Sequence, residues 1–240
     1  MRFLAAVSTA VVLWMTAACD RKTTSPLETK TSEGQASEAP AGKSAARQDR
    51  ALVRFINADP HGAPRDLWTG DTSLFTGIAY RAITPYVEIP SQATQFRLRE
   101  TGKSQNLASV HDELFAGRSY TYIAMPGKNG SSSIAEISDD FKPPKAGKAR
   151  VRLINATLGV TALDLHEAGV AKKIGPGVRA GASTDFKDVD PGTFEIRPDK
   201  QPGSPQLTNL TVEPDRFYTF VVLGKAGDLD VVRIEERLDR

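Results

Sequence analysis

From Ala51 onward, apolar and polar residues alternate in short runs. LVRFIN, YVEI, TQFRLRE and SYTYIAM each carry apolar side chains at alternate positions. That is the period of a strand whose two faces meet different surroundings. RVRLIN, TFEIRP and YTFVVLG repeat the pattern further along the chain. Turn-forming segments separate the runs: DPHGAP, MPGKNGSSS, DPG, KQPGSP and KAGD. No segment after residue 50 holds an apolar stripe of helical period over a helix's length. The pattern predicts an all-β chain. About seven short strands in each stretch of about 95 residues is the density of an immunoglobulin-like antiparallel β-sandwich.

The strands come in two sets. ALVRFINA at 51–58 returns as ARVRLINA at 149–156, an offset of 98 residues. The same offset pairs Asp66-Leu67 with Asp164-Leu165, Gly77 with Gly175, Ala82 with Ala180, Phe96 with Phe194, and Tyr120-Thr121 with Tyr218-Thr219. So many matches mark a tandem duplication of a unit large enough to fold by itself. The expected organisation is a first sandwich over 51–140, a linker over 141–148 and a second sandwich over 149–238. Both units place an aliphatic residue, Leu114 or Val212, six positions before a tyrosine, with a turn between. This resembles the tyrosine corner of immunoglobulin-like sandwiches, in which a tyrosine hydroxyl reaches back to a backbone group. Tyr120 and Tyr218 are its candidates.

Before residue 51 the pattern changes. Arg2 is followed by FLAAVSTAVVLWM, an uncharged run of signal-peptide length that ends in Thr16-Ala17-Ala18. Residues 1–18 therefore read as a secretory signal. Cys19 is the single cysteine of the chain and cannot form an internal disulfide. Its place at the start of the mature chain reads as a lipid attachment point, and TAAC resembles a bacterial lipobox. Ordinary signal peptidase would instead leave a free thiol. The stretch 19–50 is rich in Thr, Ser, Ala, Glu and Lys and has too little apolar surface to order itself. As a coil it would reach roughly 30 Å. It reads as a flexible tether that holds the sandwiches off a membrane of the bacterial cell envelope.

VRFINADPHGAPRDL, GIAYRAITPYVEI and ELFAGRSYTYIAM together resemble the successive blocks of a bacterial envelope family, domain of unknown function 4397. Two copies would cover about 51–138 and 149–236. The second departs from the pattern at ATLGVTALDL and at Phe186, which stands where tyrosine is usual. The resemblance implies an exported or lipid-anchored sandwich and transfers no catalytic or ligand residue. A weaker similarity is to the periplasmic accessory proteins of alginate O-acetylation. It is carried by the V-R-x-x-N openings and by the basic, proline-containing segment DDFKPPKAGKARVRLIN.

Charge and composition narrow the chemistry. The 31 Lys and Arg nearly match the 29 Asp and Glu, and no basic stretch is interleaved with aromatics, so nucleic acid is not an expected partner. His61, His111 and His166 lie in no metal-ligand spacing; His61 sits in a turn, and His166 is expected on a strand's outward face. The Gly-Lys-Ser triplets at Gly42 and Gly102 lack the earlier glycine of a phosphate loop, since Ser37 and Arg97 stand there. Asp185, Asp188 and Asp190 surround a turn with Lys187 among them, which suits capping better than calcium. No catalytic constellation, metal site or cofactor is expected. Trp68, Phe75, Tyr80 and Tyr86 fall in the first unit, whereas the matching part of the second keeps only Phe186. Trp68 should face outward because Leu67 takes the buried side, and with Tyr80 it forms the candidate binding surface. The chain thus reads as a non-catalytic, lipid-anchored envelope protein that presents two binding or scaffolding sandwiches to an envelope protein or polysaccharide. The alternative is an accessory subunit of exported polysaccharide O-acetylation.

Overall fold

In the computed structural model, residues 49–199 and 206–236 are described. The apolar run at the N-terminus, Cys19 and the polar stretch up to residue 48 lie outside the described residues. Alternation generates the strands, but in the first strand both sets of alternating side chains are buried. β1 (Arg50–Asn57) turns Val53 and Phe55 to one side and Arg54 and Ile56 to the other, and all four are at most 2% exposed. A strand buried on both faces must lie in an inner layer.

The first copy continues through β2 (Arg65–Thr69), β3 (Thr72–Ile78), β4 (Val87–Pro90), β5 (Ala93–Glu100), β6 (Asn106–Glu113), β7 (Ser119–Pro126) and β8 (Ser132–Asp139). It folds into one sheet of order β4-β1-β7-β8 facing another of order β3-β2-β5-β6. The second copy holds β9 (Ala149–Asn155), β10 (Ala162–Glu167), β11 (Lys173–Arg179), β12 (Lys187–Val189), β13 (Gly192–Pro198), β14 (Leu207–Val212), β15 (Phe217–Lys225) and β16 (Asp228–Glu236). Its sheets are β12-β9-β15-β16 and β11-β10-β13-β14. One pair in each copy departs from the antiparallel expectation: β1 runs parallel to β7, and β9 runs parallel to β15. Strands far apart in sequence are free to pair in this way, because the strands between them supply the crossover.

Each sandwich has its own core. Val53, Phe55, Leu67, Phe96 and Tyr122 meet in the first, with the Phe96 and Tyr122 rings 4.1 Å apart. Val151, Leu153, Leu165, Phe194 and Phe220 meet in the second. A third core lies between the sandwiches, where Ile56, Ile123 and Ile137 of the first pack on Ile154, Val221 and Leu223 of the second. The order is therefore four layers, with the β4-β1-β7-β8 and β12-β9-β15-β16 sheets back to back in the middle. That explains why β7 is buried along its whole length.

Two buried ion pairs cross this middle contact, related by the duplication. Arg54 Nη2 lies 2.6 Å from Glu236 Oε1 and its Nε donates to Thr121 Oγ1 at 2.8 Å. Ninety-eight residues on, Arg152 pairs with Asp139 and its Nε donates to Thr219 Oγ1 at 3.0 Å. Each guanidinium also covers a ring at the corresponding place: Arg54 lies 4.6 Å from the centroid of Tyr86, and Arg152 lies 4.5 Å from that of Phe186. Asp139 further accepts hydrogen bonds from Tyr86 Oη and Thr121 Oγ1, both at 2.7 Å. The connection is packed as well: Phe141 sits against Tyr86, Phe186 and Phe217 at 6.2, 5.7 and 5.9 Å between centroids.

The structure also corrects part of the repeat alignment. Asp66 Oδ1 accepts from Gly77 N at 2.8 Å, and Asp164 Oδ1 accepts from Gly177 N at 2.7 Å. Asn57 N donates to Ala82 O at 3.1 Å, and Asn155 N donates to Ala182 O at 3.0 Å. Gly77 thus corresponds to Gly177 rather than Gly175, and Ala82 to Ala182 rather than Ala180. The extra two residues are taken up between β10 and β11, and the offset returns to 98 by Phe96 and Phe194.

With a shared core, the two sandwiches should melt in one calorimetric transition. Ile154→Asp, which places an unpaired carboxylate between them, should split that transition into two. Asp139→Asn leaves Arg152 buried beside a neutral group and should cost about 3 kcal/mol in urea unfolding.

Candidate functional site

The residues singled out by sequence occupy different places. Tyr120 Oη accepts a hydrogen bond from the backbone N–H of Phe115 at 3.0 Å, and Tyr218 Oη accepts one from Glu213 N–H at 3.1 Å. Both tyrosines are buried, and each ties the approach to β7 or β15 to the strand it starts. Trp68 lies on the outer face of the β3-β2-β5-β6 sheet with Leu67 fully buried beside it. The Arg99 guanidinium lies 4.5 Å from its ring centroid, so the indole is partly covered. Phe75 joins the first core and Tyr86 joins the contact between sandwiches. His61 is exposed in its turn, and His111 is exposed on β6. His166 alternates with the core residues Leu163 and Leu165 and so lies on the outer face of β10, yet it is only 4% exposed, with Nδ1 3.3 Å from Val170 O, because the longer β10–β11 connection folds over it. Asp188 faces Lys145 and Arg150, and Asp190 pairs with Lys148 at 2.6 Å, so basic side chains neutralise two of the three carboxylates. Cys19 lies outside the described residues.

Tyr80 leads to a concavity walled by both sandwiches. It is 37% exposed and stands in the β3–β4 connection, next to Arg81. From the first sandwich, His61, Tyr80 and Arg81 line a cleft of about 440 Å³; from the second, Lys225, Asp228 and Asp230 close it. Arg81 Nη2 reaches Asp230 Oδ2 at 2.6 Å. Trp68 is not part of this wall. Burial raises the Tyr80 pKa above the usual phenol range; Arg81 opposes that rise, and Asp230 and Asp228 add to it.

The turn that presents Tyr80 is unusual in one dihedral. Arg81 has φ of 71°, in the left-handed region. The second copy makes the same turn: Arg81 N donates to Asn57 O and Gly181 N donates to Asn155 O, both at 2.8 Å. There the residue is Gly181, with φ of 80°. Glycine enters this region without penalty, whereas an L side chain costs roughly 1–2 kcal/mol. The ion pair with Asp230 is about half exposed on both sides. Such pairs contribute roughly 0.2–1 kcal/mol. Stability alone therefore does not account for arginine at this position.

The neighbouring turn is organised by Asp59, whose carboxylate is buried. It accepts hydrogen bonds from Ser132 Oγ at 2.6 Å, Arg65 Nη2 at 2.9 Å and His61 N–H at 3.0 Å. Burial pushes the Asp59 pKa up, but these bonds and the Arg65 charge outweigh it and hold the carboxyl below its ordinary range. Elsewhere in the same sandwich, Tyr122 Oη donates to Asp112 at 2.5 Å, and burial, with Asp112 nearby, raises the pKa of Glu136. Phe115, at 55% the most exposed of the large hydrophobics among the described residues, borders that region.

Sequence reasoning found Tyr80 but missed Arg81, Asp228 and Asp230. The signal was present. An offset of 98 sets Arg81 against Arg179, which looks unremarkable, whereas the true offset of 100 sets it against Gly181.

Arg81→Gly should leave stability within about 1 kcal/mol of wild type, because relief of the backbone offsets the lost ion pair and the freer unfolded chain. Arg81→Val keeps the strain without the ion pair and should be the less stable of the two in urea unfolding. For Asp59, the folded pKa lies below the unfolded value of about 3.9. Its stabilisation is thus present above about pH 4 and is lost as the pH falls through the folded value. The stability gap between wild type and Asp59→Asn should narrow on acidification in urea titrations taken at stepped pH.

No curated protein matches the chain. Among solved structures it is similar to a carbohydrate-binding module of family CBM26 from Eubacterium rectale Amy13K, determined in complex with maltoheptaose. The identity is 16%, with 79% of this chain and 98% of that one covered, at a TM-score of 0.24. A second likeness is to a chain described under alpha-glucan binding by a streptococcal virulence factor. There the identity is 10%, with 75% and 95% covered, at a TM-score of 0.23. At such low TM-scores the chains do not superpose as wholes, and no ligand transfers from either. The family model of Domain of unknown function (DUF4397) matches residues 51–166, the first sandwich together with β9 and β10 of the second, and over that span the chain is DUF4397-like.

Proposed function

We propose that this chain is a non-catalytic binding protein of the bacterial cell envelope, held to a membrane by a lipid on Cys19. Its two sandwiches act as one rigid unit, with the Tyr80 cleft as the binding surface. The observation that carries the reading is the use of Arg81. It keeps a left-handed backbone where the duplicate turn has glycine, and its side chain lines a concavity walled by both sandwiches. Strained backbone of this kind persists where the surroundings hold it for a purpose. The buried charges support the same reading. Arg54, Arg152, Asp139 and Glu236 join the two sandwiches, and Asp59 and Arg65 hold a turn. The anchor rests on the sequence around Cys19, where a lone thiol follows a signal-length apolar run and precedes a tether of low apolar content.

Growth of the producing bacterium with labelled palmitate, followed by membrane fractionation, tests the anchor. Wild type should carry label and sediment with membranes, whereas Cys19→Ser should be unlabelled and released. An unlabelled wild type that fractionates as a free protein would remove the anchor from the proposal.

A further inference from the structure

The lining of the Tyr80 cleft is balanced in charge. Arg81 and Lys225 contribute two positive groups, and Asp228 and Asp230 contribute two negative ones, around one concavity of about 440 Å³. A ligand with net charge would gain from one pair and lose to the other. A neutral ligand dense in hydroxyl groups meets no such conflict, because each hydroxyl both donates and accepts. The two carboxylates would accept hydrogen bonds from its hydroxyls, and the guanidinium and ammonium groups would donate hydrogen bonds to them. The Arg81–Asp230 pair also places a planar donor and a planar acceptor side by side, a geometry suited to adjacent hydroxyls.

Tyr80 adds a phenol ring to the rest of the wall, beside Pro60, His61 and Leu158. Tyr80 is 37% exposed, so part of its ring is free to receive the flat C–H face of a sugar ring. The volume falls within the range of small-ligand pockets. We infer that the cleft binds a neutral sugar unit, stacked on Tyr80 and hydrogen-bonded by Arg81, Asp228 and Asp230. This assignment rests on the reading of the chain as a binding protein. The duplication sharpens it: the equivalent turn of the second copy carries Ala180 and Gly181, which can neither stack nor form a side-chain ion pair. Among the described residues, the duplication therefore does not repeat this site.

Affinity electrophoresis of the mature full-length chain in detergent tests the assignment. The gels contain dextran, mannan or hydroxyethyl cellulose as neutral polymers, polygalacturonate as the anionic one and glycol chitosan as the cationic one. At least one neutral polymer should retard the wild type, and an oligosaccharide cut from it should titrate to one site per chain. Tyr80→Ala should weaken that binding by roughly tenfold. Arg81→Gly should weaken it too, while its melting temperature shows the fold intact. Retardation only by a charged polymer overturns the sugar assignment and leaves the binding-protein reading standing. So does retardation by a neutral polymer that Tyr80→Ala and Arg81→Gly leave unchanged. If no polymer retards the chain and a photo-crosslinking side chain at position 80 captures nothing in the living envelope, both readings fall.

Discussion

The structure depends on two arginines buried between the sandwiches. Arg54 and Arg152 are each 2% exposed and each reaches a carboxylate on the other copy. Removing a guanidinium from water costs several kcal/mol, which one ion pair does not reliably return. The net attraction between the sandwiches is better assigned to the apolar surface around these pairs, built from Ile56, Ile123, Ile154 and Val221. What the arginines contribute is register. An apolar sheet face can slide on its neighbour at little cost, but a buried guanidinium displaced from its carboxylate is an uncompensated charge.

The contact also repeats inside one chain the logic of a two-fold dimer. Arg54 with Thr121 and Glu236 has its counterpart in Arg152 with Thr219 and Asp139, and the ring of Tyr86 has its counterpart in Phe186. In a symmetric interface each residue serves on both sides, so a duplicated unit inherits complementarity with itself. Once the copies were joined, the two halves were free to differ away from the contact. The Tyr80 cleft is where they differ. The β3–β4 turn is braced in both copies by the same pair of backbone hydrogen bonds, yet only the first carries an aromatic ring and a guanidinium at its tip.

The alternation of apolar and polar residues by itself determined the strands, because strand periodicity and turn chemistry are local properties, and the matches at an offset of 98 residues determined the duplication. Leu114 and Val212, each six residues before a tyrosine, were enough to point at Tyr120 and Tyr218, since the corner they form closes within a few residues. The same alternation was silent on the middle of the molecule. Arg54 and Ile56 lie on the face of β1 opposite Val53 and Phe55; whether such a face meets water or another sheet depends on a partner some hundred residues away. That is also why Arg81 and Asp230, far apart in the chain, were not recognisable as neighbours. Only the docking of one sheet on the other brought them together, and only the hydrogen bonds of the turn showed that Arg81 occupies a position its duplicate gives to glycine.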